Sequence, residues 1–123
     1  MECYCDYEPP SAFSLTQPVA RKPHRCTSCG RSIAPGEPYE KAWGIWDGEA
    51  ETFKTCQHCI ALREWVRAHV PCACFTFQEM RDEALDLACE YAHEAPGLLF
   101  GALRRYAKTG DVIDRHRKLR GRP

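Results

Sequence analysis

The sequence lacks any apolar run that could cross a membrane or direct the chain out of the cell. A spanning helix needs roughly 20 consecutive apolar residues, and no stretch approaches that length. The first four residues, Met1 to Tyr4, provide neither the basic start nor the apolar region of a signal peptide. We therefore expect a cytosolic protein, in which thiols stay reduced and paired cysteines bind metal.

Net charge is missing as well. The 17 Lys and Arg residues balance the 17 Asp and Glu residues, which excludes a strongly basic surface over the whole protein. If eight cysteines bind two zinc ions as thiolates, the balance falls to about −4. Any contact with nucleic acid must therefore come from a local basic patch.

The apolar core that the composition allows is thin. The chain has 123 residues, enough for one domain, and nine cysteines form part of its 44% hydrophobic content. Cysteines that bind metal add little to a packed core, and a core of this size opposes chain entropy only weakly. We expect one compact unit that metal binding stabilises.

Four cysteines form the strongest motif, two CxxC pairs that are separated by 26 residues. A CxxC knuckle turns both sulfurs toward one point, and two knuckles supply the four ligands of a closed tetrahedral zinc site. Gly30 follows the first pair, where a residue that adopts positive φ lets the chain turn away. A disulfide framework is the alternative, and it would need an oxidising compartment. The sequence predicts a structural zinc site on Cys26, Cys29, Cys56 and Cys59.

The segment between the knuckles is typical of a β-hairpin. Aromatic-rich runs at 39–46 and 49–55 flank Asp47-Gly48, a pair that favours a two-residue type I′ turn. Apolar residues at helical spacing after the second knuckle predict a helix that reaches His69. Knuckle, hairpin and helix over residues 24–69, with the pattern CxxCGxxIxPGExY, resemble a treble-clef zinc finger. Treble clefs serve nucleic-acid binding, protein binding and nuclease chemistry alike, so the fold does not name the function.

Four further cysteines form two CxC pairs, Cys3 with Cys5 and Cys72 with Cys74. Both thiolates of such a pair can chelate one metal ion, so the two pairs together would bind a second zinc ion. Prolines within 8–23 favour an extended N-terminal arm that brings the first pair to the end of the helix. Reduced thiols without metal and redox-active thiols are the alternatives. We predict two zinc ions per chain.

Two or three helices are predicted to follow the finger in a small α+β zinc-built fold. A capping box of Thr76 and Glu79 would start a helix that ends near Ala95, and another begins at Leu98. The buried positions expected in these helices are Met80, Ala84, Leu87, Ala88, Cys89, Tyr91, Leu99, Leu103 and Tyr106. The predicted parts are the clasped arm, the finger, a helical extension packed on the finger and a basic tail, at 1–23, 24–75, 76–110 and 111–123.

No group of residues suits catalysis. Nucleases with an HNH-type treble clef use a histidine at the end of the hairpin's first strand, and this hairpin contains no histidine. A Ser/His/Asp constellation, a phosphate-binding glycine loop and a paired-carboxylate motif are missing too. Four thiolates also leave zinc no open position for water. We predict that the protein is not an enzyme.

Two classes of partner stay open. A protein partner would use hairpin aromatics or the acidic face of the first extension helix, with these candidates: Trp43, Trp46, Asp82, Glu83, Asp86 and Glu90. Nucleic acid would use basic residues beside the finger and in the tail, with these candidates: Arg21, Lys22, Arg25, Arg31, Arg115, Arg117, Lys118 and Arg120. A solvated helix face and a solubilising tail are the alternatives. Neither a membrane nor a small-molecule substrate is expected.

Several segments resemble small cysteine-rich proteins of tailed phages and prophages. They cover nearly the whole chain and are Cys5-Asp6-Tyr7-Glu8-Pro9-Pro10, Arg21-Lys22-Pro23-His24-Arg25-Cys26, Cys29-Gly30-Arg31, Phe53-Lys54-Thr55-Cys56 and His69-Val70-Pro71-Cys72. The resemblance implies a bacterial host cell but no established activity. Small phage accessory proteins often bind a host or phage protein, including host defence machinery. The resemblance therefore favours stoichiometric protein binding, with a nucleic-acid-binding regulator as the alternative.

Overall fold

The structure is a computed structural model that describes residues 10–110. Over these residues the chain forms a small α+β fold of five strands and three helices, the class that the sequence predicted. In chain order they are β1 (Ala12–Thr16), β2 (His24–Arg25), β3 (Ser32–Ile33), β4 (Tyr39–Trp46), β5 (Glu49–Cys56), α1 (Gln57–His69), α2 (Met80–Glu90) and α3 (Leu98–Tyr106). No helix in this part of the chain is long and apolar enough to cross a membrane.

The predicted hairpin supplies the central strand β4 and the edge strand β5 of a three-stranded antiparallel sheet with the strand order β1-β4-β5. Asp47 and Gly48 connect β4 to β5, and their φ angles of 52° and 78° are both positive. A type I′ turn requires positive φ at both positions. The two-residue turn pairs Trp46 with Glu49, and the register then runs to Tyr39 opposite Cys56.

The edge strand β1 was not predicted, because its residues belong to the proline-flanked segment that we read as an extended arm. It pairs with β4 from Ala12 opposite Ile45 to Thr16 opposite Lys41. On the other side of the finger, β2 and β3 form a short two-stranded ribbon. The two strands of the ribbon precede and follow the first knuckle in the chain. Their pairing therefore holds the two ends of the knuckle loop together.

Three helices pack together through one hydrophobic cluster. Leu62 and Val66 of α1 are fully buried against small residues of α2 and against Leu98 and Ala102 of α3. A second cluster surrounds the knuckles and includes Ile33, Tyr39, Met80 and three of the knuckle cysteines. The α1 helix contributes to both clusters and so joins the finger to the helical extension.

The α2 helix is shorter than predicted and begins without the capping box of Thr76 and Glu79. It starts at Met80, and Glu79 makes no side-chain cap hydrogen bond. The Glu83 carboxylate instead accepts hydrogen bonds from the backbone N–H and the hydroxyl of Thr76, both at 2.8 Å. A threonine and a glutamate are therefore hydrogen-bonded at the start of the helix as expected, but the glutamate is Glu83 and not Glu79.

Two expected core positions are exposed. Cys89 is exposed because α2 buries Met80, Ala84 and Ala88, and the next residue points about 100° away from that stripe. Leu103 is 46% exposed, since α3 turns Leu98 and Ala102 inward instead. The prediction for α3 was therefore wrong at Leu103, whereas Leu99 and Tyr106 are half-buried against the helical cluster.

A buried ion pair ties the sheet to α1. Glu40 of β4 is 2% exposed, and its two carboxylate oxygens accept hydrogen bonds of 2.8 and 2.6 Å from the Arg63 guanidinium. Bidentate pairing satisfies both charged groups inside the fold. The sequence analysis did not predict this contact, because an arginine at this position of the helix could equally have been exposed to solvent.

Candidate metal centre

The four predicted cysteines come together at one point. The sulfurs of Cys26, Cys29, Cys56 and Cys59 all lie within 4.8 Å of one another. Cys26 to Cys59 and Cys29 to Cys56 are each separated by 3.8 Å between sulfurs. A zinc–sulfur bond of about 2.3 Å gives a tetrahedron with edges of about 3.8 Å. The spacing of the sulfurs therefore fits a four-thiolate metal site, and zinc is the plausible ion.

The first knuckle is held by its own backbone. Cys26 accepts a hydrogen bond from the Gly30 N–H through its carbonyl, and its own N–H donates to Arg31, both at 2.9 Å. Gly30 adopts a φ of 76°, the positive value expected at this turn. The Arg31 N–H lies 3.4 Å from the Cys29 sulfur and donates to it. The tight turn thus points the backbone N–H of Arg31 at the sulfur of Cys29, one of the four candidate metal ligands.

The second knuckle lies where β5 passes into α1. Cys56 ends the strand and caps the helix, while Cys59 is in the helix's first turn. The positive end of the helix dipole favours thiolates at these positions. The Cys56 N–H also donates to the Cys26 sulfur at 3.3 Å, so the knuckles are joined directly as well as through any bound metal.

As bare thiols, the four cysteines do not ionise together. Hydrogen bonds from neighbouring sulfurs, that of Cys29 first, lower the pKa of Cys26 well below its usual value. Hydrogen bonds with the same sulfurs, that of Cys26 first, raise the pKa of Cys59. Negative charges this close oppose one another unless a cation balances them. Four thiolates in this space therefore require a metal ion.

His58 lies within the second knuckle but is not among the clustered ligands. It is half-buried and lines a depression of about 330 Å³ together with Ala61, Arg104, Arg105 and Lys108. Burial first, and then the charge of Arg31, lower the pKa of the imidazole. Residues 10–110 contain one cysteine cluster with metal-ligand geometry, and this histidine is outside it.

The second predicted site is only partly within the described residues. The sulfurs of Cys72 and Cys74 lie 3.8 Å apart, so they are not bonded to each other, and each takes part in a disulfide bond. Cys72 adopts a positive φ of 56°, which a non-glycine residue rarely does. The predicted co-ligands Cys3 and Cys5 lie outside the described residues. A disulfide sulfur does not bind zinc as a thiolate does, so these bonds and a second zinc site exclude each other. The second zinc ion stays a prediction.

The candidate residues for binding a protein differ in their exposure and in the internal contacts that their side chains make. Trp43 is 39% exposed, whereas Trp46 is half-buried, with its ring centroid 6.3 Å from that of Phe13 and 5.5 Å from that of Phe53. Within α2, two of the acidic residues make internal contacts: Asp82 accepts a hydrogen bond from Tyr106, and Glu83 those from Thr76. Exposed side chains without these contacts are Asp86 and Glu90.

The basic candidates beside the finger divide in the same way. Arg31 makes a bidentate ion pair with Glu37, so a carboxylate already neutralises it. Arg25 donates to the Gly30 carbonyl and stays exposed, as do Arg21 and Lys22. The predicted tail residues lie outside the described part of the chain: Arg115, Arg117, Lys118 and Arg120.

A basic depression that the sequence analysis missed lies on the sheet. It has a volume of about 540 Å³ and is lined by His24, Arg25, Thr27, Lys41, Thr52 and Lys54. The Lys54 ammonium lies 3.0 Å from the His24 ring nitrogen Nδ1. Desolvation, followed by the charges of neighbouring lysines, lowers the pKa of that imidazole, and the lysines are Lys54, Lys22 and Lys41. Among residues 10–110, the ionisable side chains that line the depression are all basic.

Comparisons with known proteins add no relative to this description. No protein-family model matches the chain, and neither does any curated protein or any solved structure. The arguments for function therefore rest on the cysteine cluster and on the surfaces around it.

Proposed function

We propose that the protein is a non-catalytic binding module that a structural zinc ion stabilises. The observation that carries the proposal is the convergence of four cysteine sulfurs at the spacing of a zinc–thiolate tetrahedron. Four protein ligands fill the coordination of zinc and leave no place for a reacting water. The finger is proposed to be of the treble-clef type, because a knuckle, the β4–β5 hairpin and a helix that carries the last ligand follow in that order.

Removal of the metal tests the structural role. When excess chelator strips the zinc-loaded chain, we expect loss of far-UV circular dichroism and of tryptophan fluorescence, with recovery on adding zinc back. Cys59→Ser should reproduce the loss in the presence of zinc. Cys89→Ser is the matched control, because Cys89 is exposed and lies outside the cluster. A fully stripped chain that keeps its native spectra would refute the structural role.

The first candidate partner is a protein. In the phage setting that the resemblance implies, the chain would bind a host or phage protein stoichiometrically, and a component of host defence is one such target. Trp43 on the sheet, together with Asp86 and Glu90 on α2, supplies the exposed groups for it. Aromatic side chains dominate the energy of many protein interfaces. Capture from nuclease-treated host lysate that Trp43→Ala abolishes and Phe100→Ala preserves would support this partner.

The second candidate partner is nucleic acid, and the basic depression favours it. The depression gathers His24, Arg25, Lys41 and Lys54 on one side of the finger. Phosphates bind such clusters through charge, with an affinity that falls as salt rises. Capture that nuclease treatment removes would support this partner.

A further inference from the structure

Between Glu40 and Gly44, β4 alternates buried and exposed residues, so this part of the sheet has one face packed against the fold and one open face. Alternate residues of a strand point to opposite faces. Buried side chains such as Glu40 and Phe53 belong to the inner face. On the other face, where Tyr39 and Cys56 are buried at one end, the register forms two cross-strand rows in the middle of the sheet, Thr16–Lys41–Lys54 and Ser14–Trp43–Thr52. We call these six residues the outer sheet face.

A continuous groove runs over the outer sheet face. The basic depression of about 540 Å³ shares Lys41 and Thr52 with a neighbouring depression of about 300 Å³. That neighbour is lined in addition by Ser14, Thr16 and Trp43. Together they extend from the β2 ribbon across the sheet to β1. Within the described part of the chain, basic side chains, hydroxyl groups and one indole line the groove, and none of these lining residues is acidic.

The groove keeps like charges close together. Lys41 and Lys54 are directly opposite each other in the β4–β5 register, an arrangement that destabilises a sheet. The Lys54 ammonium also contacts the His24 ring at 3.0 Å, and no carboxylate of residues 10–110 forms an ion pair with it. A bound anion would relieve this repulsion, so the groove is complementary in charge to phosphate groups.

We propose that the outer sheet face, with His24 and Arg25, binds single-stranded nucleic acid. Trp43 stacks on an unpaired base, while Lys41, Lys54 and Arg25 contact the phosphates on either side of it. This inference rests on the proposed binding module and names its partner. Aromatic side chains within a basic groove are the usual means of binding single strands, because every base has a face that can stack.

Geometry favours a single strand over the other partners. A duplex keeps its bases stacked inside and is read by elements that enter a groove, whereas the 39%-exposed Trp43 lies on the surface of a sheet. The core of a protein interface is depleted in charged residues, but this indole shares its depression with Lys41 and with hydroxyl groups of both neighbouring strands. Unpaired bases and a charged backbone match both features.

The test is fluorescence anisotropy of a labelled single-stranded oligothymidylate with the full, zinc-loaded chain. We expect binding at low salt that weakens as salt rises, and weaker binding to a duplex of equal length. Trp43→Ala should lower the affinity about tenfold, within the range that base–aromatic stacking provides, and Trp43→Phe should retain most of it. Lys41→Gln and Lys54→Gln should each lower the slope of log affinity against log salt by about 0.7.

Two matched controls separate the outer sheet face from general charge. Phe100, which is 68% exposed on α3, and Lys108, which lines the depression beside His58, lie on other surfaces. Phe100→Ala and Lys108→Gln should therefore leave binding unchanged. Equal losses from Lys108→Gln and Lys41→Gln, a preference for duplex, or no binding at low salt would each overturn the proposal. Capture of a protein that depends on Trp43 and survives nuclease would overturn it as well.

Measuring the zinc content of the same samples distinguishes a failure of the single-strand proposal from a failure of the proposed zinc-stabilised module. A chain that holds zinc and unfolds on chelation, yet does not bind the oligonucleotide, refutes the single-strand proposal alone. A chain that holds no zinc and keeps its fold refutes the structural zinc ion, whatever it binds. Each variant is compared only at the zinc content of the unmodified chain.

Discussion

Replacing Glu40 by methionine should destabilise the protein more than any surface change. The side chains of Glu40 and Arg63 are 3% and 11% exposed, and two hydrogen bonds of 2.6 and 2.8 Å join them. Removing one partner of a buried pair costs about 3–5 kcal/mol, because the other charge stays buried without compensation. Arg63 keeps a 3.0 Å contact with Glu64, which is 55% exposed. We therefore expect the lower end, about 3 kcal/mol.

The assay is urea unfolding at a fixed concentration of free zinc, because metal binding adds to the apparent stability. With a urea dependence of about 1–3 kcal/mol/M, a loss of about 3 kcal/mol lowers the midpoint by about 1–3 M. The double variant Glu40→Met with Arg63→Met should recover most of the loss, since it leaves no unpaired charge. Glu37→Gln, at the more exposed pair with Arg31, should cost about 1 kcal/mol or less.

Two results would contradict this reasoning about the buried pair. A cost below about 1 kcal/mol for Glu40→Met would mean that water reaches the guanidinium, so that burial does not set the energy. A double variant less stable than either single variant would mean that packing of the two side chains, and not their charge, holds β4 against α1.

Two further predictions concern packing and metal content. Gly101→Ala should lower the stability by about 1–3 kcal/mol despite the better helix propensity of alanine, because the added Cβ would overlap the Trp65 ring. Thermal unfolding measures this loss, and unchanged stability would show that the Trp65 ring shifts without cost. If the predicted second zinc ion takes the place of the disulfide bonds that the structure gives to Cys72 and Cys74, elemental analysis should find two zinc ions per chain, falling to one in the variant Cys72→Ser with Cys74→Ser. Thiol titration of the unfolded, chelated and unreduced chain should then count nine thiols, whereas one zinc ion and fewer thiols would favour disulfides at these positions.

The hairpin and the cysteine cluster were predictable because local chemistry determines them. Asp47-Gly48 fixes the turn, and a two-residue turn fixes every cross-strand pair that follows. Once the turn is known, Lys41 must pair with Lys54, as the structure has it. The basic groove could therefore have been found from the sequence, by writing out the register and asking which charges it brings together.

Other features depend on contacts between distant parts of the chain, which periodicity does not encode. The pairing of β1 with β4 joins residues about 30 positions apart, and nothing in the segment Ala12–Thr16 specifies that partner. The rotation of α3 that exposes Leu103 follows from the close approach of Gly101 to Trp65. The sequence analysis predicted that Leu103 points inward, because the size of a side chain alone does not show which face of a helix a neighbouring helix can pack against.

The position of Cys59 on α1 has a consequence for local opening. Cys59 lies one turn before Leu62, so the ligand and the centre of the three-helix packing share the same short stretch of backbone. Exchange of the hydrogen-bonded amides in this stretch of α1 requires it to open. Opening would pull Cys59 away from the metal site and, at the same time, Leu62 away from α2 and α3. The finger and the helical extension should therefore behave as one cooperative unit, with α1 amides among the slowest to exchange.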